Sequence, residues 1–504
     1  MKKLIFCLFI ILLGKNANCQ NVHIPDSKFK AALVSNTDIN SNDDNEIQVS
    51  EAQAFTGVIN VKSKEITDLT GIASFVALSG LNCSQNQLTS LDVKANTALK
   101  QLYCNNNQLE SLDIGNNIAL TLLYCDNNQL TSLDLSHNTD LIYFYCFKNQ
   151  LTDLDVRANT HLKYLNCSDN QLTSLNVQFN TELINLTCGY NELTSLNINT
   201  NTALKALNCD KNQITSLDVR ANTALTNLSC SYNTLTILDV STNGVLTRLD
   251  CKSNQLTNMY LSANTDLELL NCERNQLTNL DLSLNTSLTN LNCNYNLLTQ
   301  LNLSTNTALE QLHCQRNELT SLDLSSNTSL IRLNCNGNQL KSLDLSLNTT
   351  LNNLNCAYNQ LTYLNVKNGN NSEIANNSFH AEDNPNLNCI QVDVVAYSTA
   401  NWVNIDINSS FSQTCTVSAI VGENKVLNIS FYPNPTNHLI NLEMGDYKSV
   451  SVSIYNLKNE LVFKEENIHT TEHRLNIEDI EAGVYVLEIT AEGNGTFNQL
   501  LIKQ

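Results

Sequence analysis

The stretch Leu99-Lys100-Gln101-Leu102-Tyr103-Cys104-Asn105-Asn106-Asn107-Gln108-Leu109-Glu110-Ser111-Leu112-Asp113-Ile114 decides how this chain folds. It contains the half-pattern Leu-x-x-Leu-x-apolar twice, ending first at Cys104 and then at Ile114. Side chains alternate along an extended segment, so Leu102 and Cys104 point inward while Gln101, Tyr103 and Asn105 point outward. Leu112 and Ile114 repeat the inward pattern, which predicts two short strands per turn. Fourteen cysteines from Cys83 to Cys356 stand 21 residues apart, each within Leu-x-x-Leu-x-Cys-x-x-Asn, with Phe144 taking one leucine position. A fixed period of this length marks a solenoid of stacked coils, in which each coil buries its apolar residues against the next.

An Asn follows three places after every one of these cysteines, from Asn86 through Asn359, where its amide can satisfy backbone groups at a corner. A second Asn column runs from Asn96 to Asn348. The cysteines read as small apolar core residues. Side chains stacked in parallel point the same way instead of toward each other, and one straight column cannot converge four thiolates on zinc.

Lys2 and Lys3, an apolar run from Leu4 to Leu13 and small residues before Gln20 predict a secretory signal peptide over 1–19. No later apolar stretch reaches the ~20 residues needed to span a bilayer, so no transmembrane segment is expected. Forty-eight acidic residues against 28 basic ones give a net charge of -20. That balance argues against nucleic acid or anionic lipid as a partner.

The nested pattern resembles leucine-rich repeats, and more closely the bacterial 21-residue class called IRREKO, in which Cys often replaces a Leu. The resemblance covers residues 67–370 and implies a solenoid of about 14 coils with parallel strands and a binding face. Ahead of it, 20–66 reads as an N-terminal cap. Behind it, 371–415 reads as a C-terminal cap containing Trp402, with Cys389 and Cys415 read as its disulfide or as two further buried thiols.

Function is sought at the outward positions, whose identity the fold leaves free. Tyr103, Tyr124 and Tyr145 share one outward column on successive coils, Tyr143 and Tyr164 the next, and Phe147 flanks them. This cluster is the candidate ligand site for a protein or a glycan, beside the plainer reading of a ladder that only stabilises the sheet. Arg248, Asp250, Lys252, Glu273 and Arg274 read as a solvated ion-pair group. Asp92, Asp113, Asp134 and Asp155 begin an outward Asp column occupied in nine coils, expected to be held by hydrogen bonds from the neighbouring Ser and Thr residues, with bound cations as the alternative.

Pro25 to Ser35 predicts a short helix, and the run Asn40 to Glu51 resembles an EF-hand loop. Asn40, Asn42 and Asp44 take its first, third and fifth places, the Glu46 carbonyl the seventh and Glu51 the bidentate twelfth, which implies a weak structural Ca2+ site. Asn40 stands where Asp is usual and Asn45 where Gly makes the turn. A polar turn capping the solenoid is the alternative reading.

After a linker at 416–429 the rhythm changes to alternating apolar segments at Leu439 to Leu442, Val450 to Tyr455, Leu461 to Phe463, Val484 to Ile489 and Gln499 to Ile502. These predict a small Ig-like antiparallel β-sandwich over 430–504. Tyr432-Pro433-Asn434-Pro435, then Gly483-Val484-Tyr485, then Lys503 near the end resemble the type A C-terminal sorting domain of the type IX secretion system of Bacteroidetes. The resemblance implies engagement of that secretion machinery and a secreted or outer-surface location.

Eight dispersed histidines offer no pair at catalytic or metal spacing, and neither a nucleophile elbow nor a phosphate loop is present. The expectation is a non-catalytic binding or adhesion protein. A glycan-capturing accessory to extracellular polymer degradation and a ligand-free spacer are the alternatives.

Overall fold

The computed structural model describes residues 20–415, 429–432, 436, 438–444, 449–456, 460–491 and 495–503. The expected signal peptide, most of the linker, and Pro433, Asn434 and Pro435 lie outside the described residues. The chain divides into two compact units, Met1–Thr414 and Cys415–Gln504.

In the first unit, one three-residue strand per coil builds a parallel sheet of 16 strands, from Val58–Asn60 to Phe379–His380. Leu102, Leu123 and their equivalents sit in register on successive coils and are buried, as is every cysteine of the column. The array therefore extends one coil beyond the cysteine register at each end. Val61 and Ala381 take the buried cysteine position there, while Ile59 pairs with Leu81 and Phe379 with Leu354.

The expectation of two strands per turn needs correcting. The second half-turn forms a regular sheet only at the end, in Ser342–Asp344, Tyr363–Asn365, Cys389–Gln391 and Ser410–Ser412. In earlier coils the outward Asp draws a nearby backbone donor into a local turn: Asp92 Oδ1 accepts from the Lys94 amide at 3.1 Å, and Asp134 Oδ1 from the Ser136 amide at 2.9 Å. All nine Asp of the column make this bond, from Asp92 to Asp344.

The corners are amide-built. Asn107 Nδ2 donates to the carbonyls of Cys83 and Cys104 at 3.1 and 3.0 Å, while its Oδ1 accepts from the Leu88 amide at 3.0 Å. In the second column, Asn117 Nδ2 donates to Val93 and Asn96 carbonyls, both at 2.9 Å, but its buried Oδ1 meets no partner. The thiols are free and buried. Several donate weakly to the next coil, as Cys83 Sγ does to the Tyr103 carbonyl at 3.4 Å. Burial pushes the Cys83 thiol up to about 12, which leaves it protonated and unreactive.

Two short helices, Ser27–Val34 and Val49–Ala54, cover the first coil. At the far end Trp402 stacks on Phe379 with ring centroids 4.0 Å apart and donates from Nε1 to the Ile374 carbonyl. The last apolar strand is thus sealed from water. Cys389 and Cys415 are both disulfide-bonded.

The second unit holds two antiparallel sheets. One comprises Ile429–Tyr432, Leu439–Met444 and Glu472–Asn476; the other orders Leu461–Ile468, Val450–Asn456, Gly483–Ala491 and Gly495–Lys503. Ile440, Val452, Ile454, Leu475, Leu487 and Leu501 fill its core.

Candidate functional site

Short outward side chains dominate the 16-stranded sheet, so the aromatic coils stand out. Tyr103 meets Tyr124 edge-on at 5.1 Å, Tyr124 stacks on Tyr145 at 4.5 Å, and Tyr143 stacks on Tyr164 at 4.8 Å with planes 4° apart. The two stacked pairs, Tyr124 with Tyr145 and Tyr143 with Tyr164, match the strand spacing of ~4.8 Å and cover one another's faces upright on the sheet, while Tyr103 and Tyr124 meet edge to face. What faces outward is a row of ring edges and phenols. Burial, with Tyr145 beside it, pushes the Tyr124 phenol up to about 12. Burial also raises the Tyr145 phenol. Phe147 is half-buried on the same side.

The charged group gathers around Glu273, whose carboxylate lies 3.0 Å from Lys252 and 3.3 Å from Arg274, but Glu273 and Lys252 are half-buried and not solvated as expected. Burial alone would raise this carboxyl, but bonds from Lys252 and Asn292 bring it below its ordinary value. Arg248 stands apart from that cluster's ion pairs.

Two features escaped the reading of the sequence. The position two after each cysteine is left-handed, with φ of 57° at Tyr190, 50° at Lys211, 54° at Tyr232, 55° at Arg274 and 54° at Tyr295. Tyrosines and cations alternate along it from Tyr190 to Tyr232 and again from Arg274 to Arg316, with Ser253 between the two runs. Lys211 Nζ lies 4.3 Å from the Tyr190 ring centroid and 5.5 Å from that of Tyr232, and Arg274 lies 4.7 Å from Tyr295. Reading every column of the 21-residue period, corners included, would have found this ridge. The second feature is a shallow hollow of about 330 Å³ around Ala206. Its signal was Ala206, a small residue in a column that carries Leu122, Tyr143, Tyr164 and Leu269 on other coils.

The loop expected to hold calcium is closed by its own hydrogen bonds. Asn42 Nδ2 donates to Asp44 Oδ2 and Gln48 Oε1, and Gln48 Nε2 donates to Asp44 Oδ2 at 2.8 Å. Glu51 accepts from the amides of Ser41 and Gln48 and thereby caps the second helix. Glu46 pairs with Lys30. The Asn40 amide donates to the Asp44 carbonyl, and its buried Oδ1 has no partner. Among the described residues no group of three His, Cys, Asp or Glu is gathered as a metal would need.

In the tail the sorting landmarks converge. Gly483 and Lys503 pair in register, and Lys503 also bridges Thr436, the residue after the Pro-Asn-Pro run. The Tyr485 ring packs over Gly483, where an added Cβ would come within 3.3 Å of it, and the Tyr485 hydroxyl donates to the Glu481 carbonyl at 2.8 Å. Tyr432 pairs with Asn441 at the start of the first sheet.

The chain is similar to the functional domain of InlJ from Listeria monocytogenes, described as including a cysteine ladder. The identity is 29% over 96% of this chain and 98% of that one, with a TM-score of 0.68. The solenoid is a leucine-rich repeat fold. A leucine-rich repeat protein of Leptospira interrogans shares the fold at 22% identity, over 69% of this chain and 97% of that one, with a TM-score of 0.55. Residues 430–503 match the family described as the secretion system C-terminal sorting domain, which places the chain outside the cell or on its surface. An ulvan lyase of Nonlabens ulvanivorans is 26% identical over 99 residues, 20% of this chain and 18% of the lyase, so the chain spans under a fifth of that relative. No helix among the described residues is long and apolar enough to cross a membrane.

Proposed function

We propose that this leucine-rich repeat protein is a non-catalytic binding or adhesion protein, exported through the type IX system, whose strand face recognises a protein or a glycan. The observation that carries this reading is the aromatic row from Tyr103 to Tyr164 on a face built mostly of short polar residues. Rigid rings give large contact area at little entropic cost. The upright stacking favours contact through ring edges and hydroxyls, which suits a protein surface better than face-stacking of a sugar on these particular rings.

The test is an array of cell-surface proteins and glycans probed with the secreted chain and with a variant carrying Ser at Tyr103, Tyr124 and Tyr145. Selective binding lost in the variant supports recognition through these coils. Equal silence from both supports a spacer. The partial likeness to a lyase favours a second reading, an accessory that captures glycan for extracellular degradation. Within either reading, Cys389 with Cys415 would staple the C-terminal cap. A weakly held Ca2+ at Asn40, Asn42, Asp44, Glu46 and Glu51 would stiffen the N-terminal cap, at the cost of opening the hydrogen bonds that now close the loop.

A further inference from the structure

We infer that the hollow around Ala206 is a subsite for a neutral, hydroxyl-rich sugar. This deepens the binding reading of the strand face and rests on it. The hollow opens where the face loses its bulk: Ala206 stands at a position held by Leu122, Tyr143, Tyr164 and Leu269 on other coils. Its volume of about 330 Å³ falls within the ~300–1,000 Å³ range of small-ligand sites.

The polar groups around it are fixed in orientation before any ligand arrives. Asn227 Oδ1 accepts from the Thr226 hydroxyl at 2.8 Å, and Asn185 Oδ1 from the Thr187 hydroxyl at 3.2 Å. Both amides therefore turn their NH2 groups outward as donors. The Ser229 hydroxyl donates to Asp210 at 2.8 Å, which leaves its oxygen as an acceptor. Asn208 is locked by the Asp210 amide at 3.1 Å and by its own Nδ2 on Asp210 Oδ2 at 3.2 Å. Gly189 makes that lock possible, since a Cβ there would lie 2.8 Å from Asn208 Oδ1.

Asp210, half-buried and raised by desolvation, thus organises the floor and does not face the ligand as a free charge. Sugar hydroxyls donate and accept at once, and alternating fixed donors and acceptors match them at little ordering cost. Ala206 and Leu269 supply apolar surface beside these polar groups, which suits the C–H face of a sugar ring. Charge selects the neutral class. Arg248 and Asp250 both line the hollow, so its formal charges sum to zero, and the chain's net charge of -20 repels a polyanion.

The test is affinity electrophoresis of the full chain in gels containing a neutral β-glucan, mannan, xylan or galactan, with a polyuronate as the charged arm. The expected result is retardation by at least one neutral polymer and not by the polyuronate. Ala206→Leu fills the hollow with a residue that other coils carry at that position, so the fold tolerates it. It is expected to weaken binding by about tenfold or more with an unchanged melting temperature.

Retardation by the polyuronate alone, or neutral binding untouched by Ala206→Leu, overturns the inference. A protein partner lost with the three tyrosines, alongside no neutral polymer bound, overturns the hollow and leaves the binding reading standing. No partner of either kind overturns both.

Discussion

The solenoid and the tail bury comparable kinds of residue by opposite means. Each solenoid coil supplies its own share of the core and pairs only with its neighbours, Leu102 with Leu81 and Leu123 and so on down the array. The tail assembles one closed core from strands far apart in the chain, joining Glu472–Asn476 to Leu439–Met444 and Gly483–Ala491 to Val450–Asn456. In the solenoid, structure occupies the inward columns and leaves the outward ones free for recognition. In the tail the same residues serve both purposes: Gly483, Tyr485 and Lys503 hold the sandwich together and also carry the resemblance to a sorting signal.

The sharpest way to separate the two units is alkali. Fourteen buried thiols lie in the solenoid and no cysteine lies in 430–504. Their folded-state pKa values are raised by burial, to about 12 at Cys83, against ~8.5 for a free thiol. The native state keeps protons that the unfolded chain releases. This stability is therefore fully present below pH ~8.5 and is lost as pH rises toward 12, at up to ~1.4 kcal/mol per pH unit for each thiol. Pulse proteolysis read by mass spectrometry from pH 8 to 11 should show the solenoid opening steeply while the tail persists. Simultaneous loss of both would break the comparison.

Tyr485→Ala should do the reverse. Removing this buried ring and its bond to Glu481 is expected to cost about 3–5 kcal/mol, enough to unfold a small sandwich. The solenoid should melt unchanged, while the chain fails to reach the culture medium or cell surface.

Within the solenoid, Asn212→Ala should cost about 2–3 kcal/mol, because the Leu193 amide and the carbonyls of Cys188 and Cys209 all lose a partner. Asn222→Ala should cost only about 1 kcal/mol, since the Oδ1 it removes was itself buried without a partner. Urea titrations of the two variants decide the order, and equal losses would show that the two corners are equivalent. Smallest of all, millimolar Ca2+ should raise the melting temperature by about one or two degrees, an effect that Glu51→Gln should abolish.

The inward residues were legible because the 21-residue period acts directly on them: Leu102, Cys104, Asn107 and Asn117 are where alternation and corner chemistry put them. The two terminal coils were hidden because Val61 and Ala381 replace cysteine and their strands leave the 21-residue register. The second half-turn misled because the alternation it shows, with Leu112 and Ile114 buried, holds without a regular backbone ladder to the next coil. Five tail strands were readable from apolar alternation. Ile429–Tyr432 and Glu472–Asn476 were not, the latter because His473 and Arg474 interrupt the pattern. At the candidate site the aromatic cluster was visible as composition. The upright stacking, the Tyr190 to Tyr295 ridge and the hollow at Ala206 depend on which residues neighbouring coils bring side by side.

Each coil meets its neighbours through the same register, and this makes the period a unit of inheritance as well as of structure. Duplication or loss of one 21-residue segment between Cys83 and Cys356 leaves every backbone bond type intact and leaves both caps with the surfaces they already fit. A coil duplicated between Tyr164 and Asn185 shifts the aromatic row relative to the hollow by a whole step, so the spacing between two recognition elements can change in a lineage without any new residue being invented.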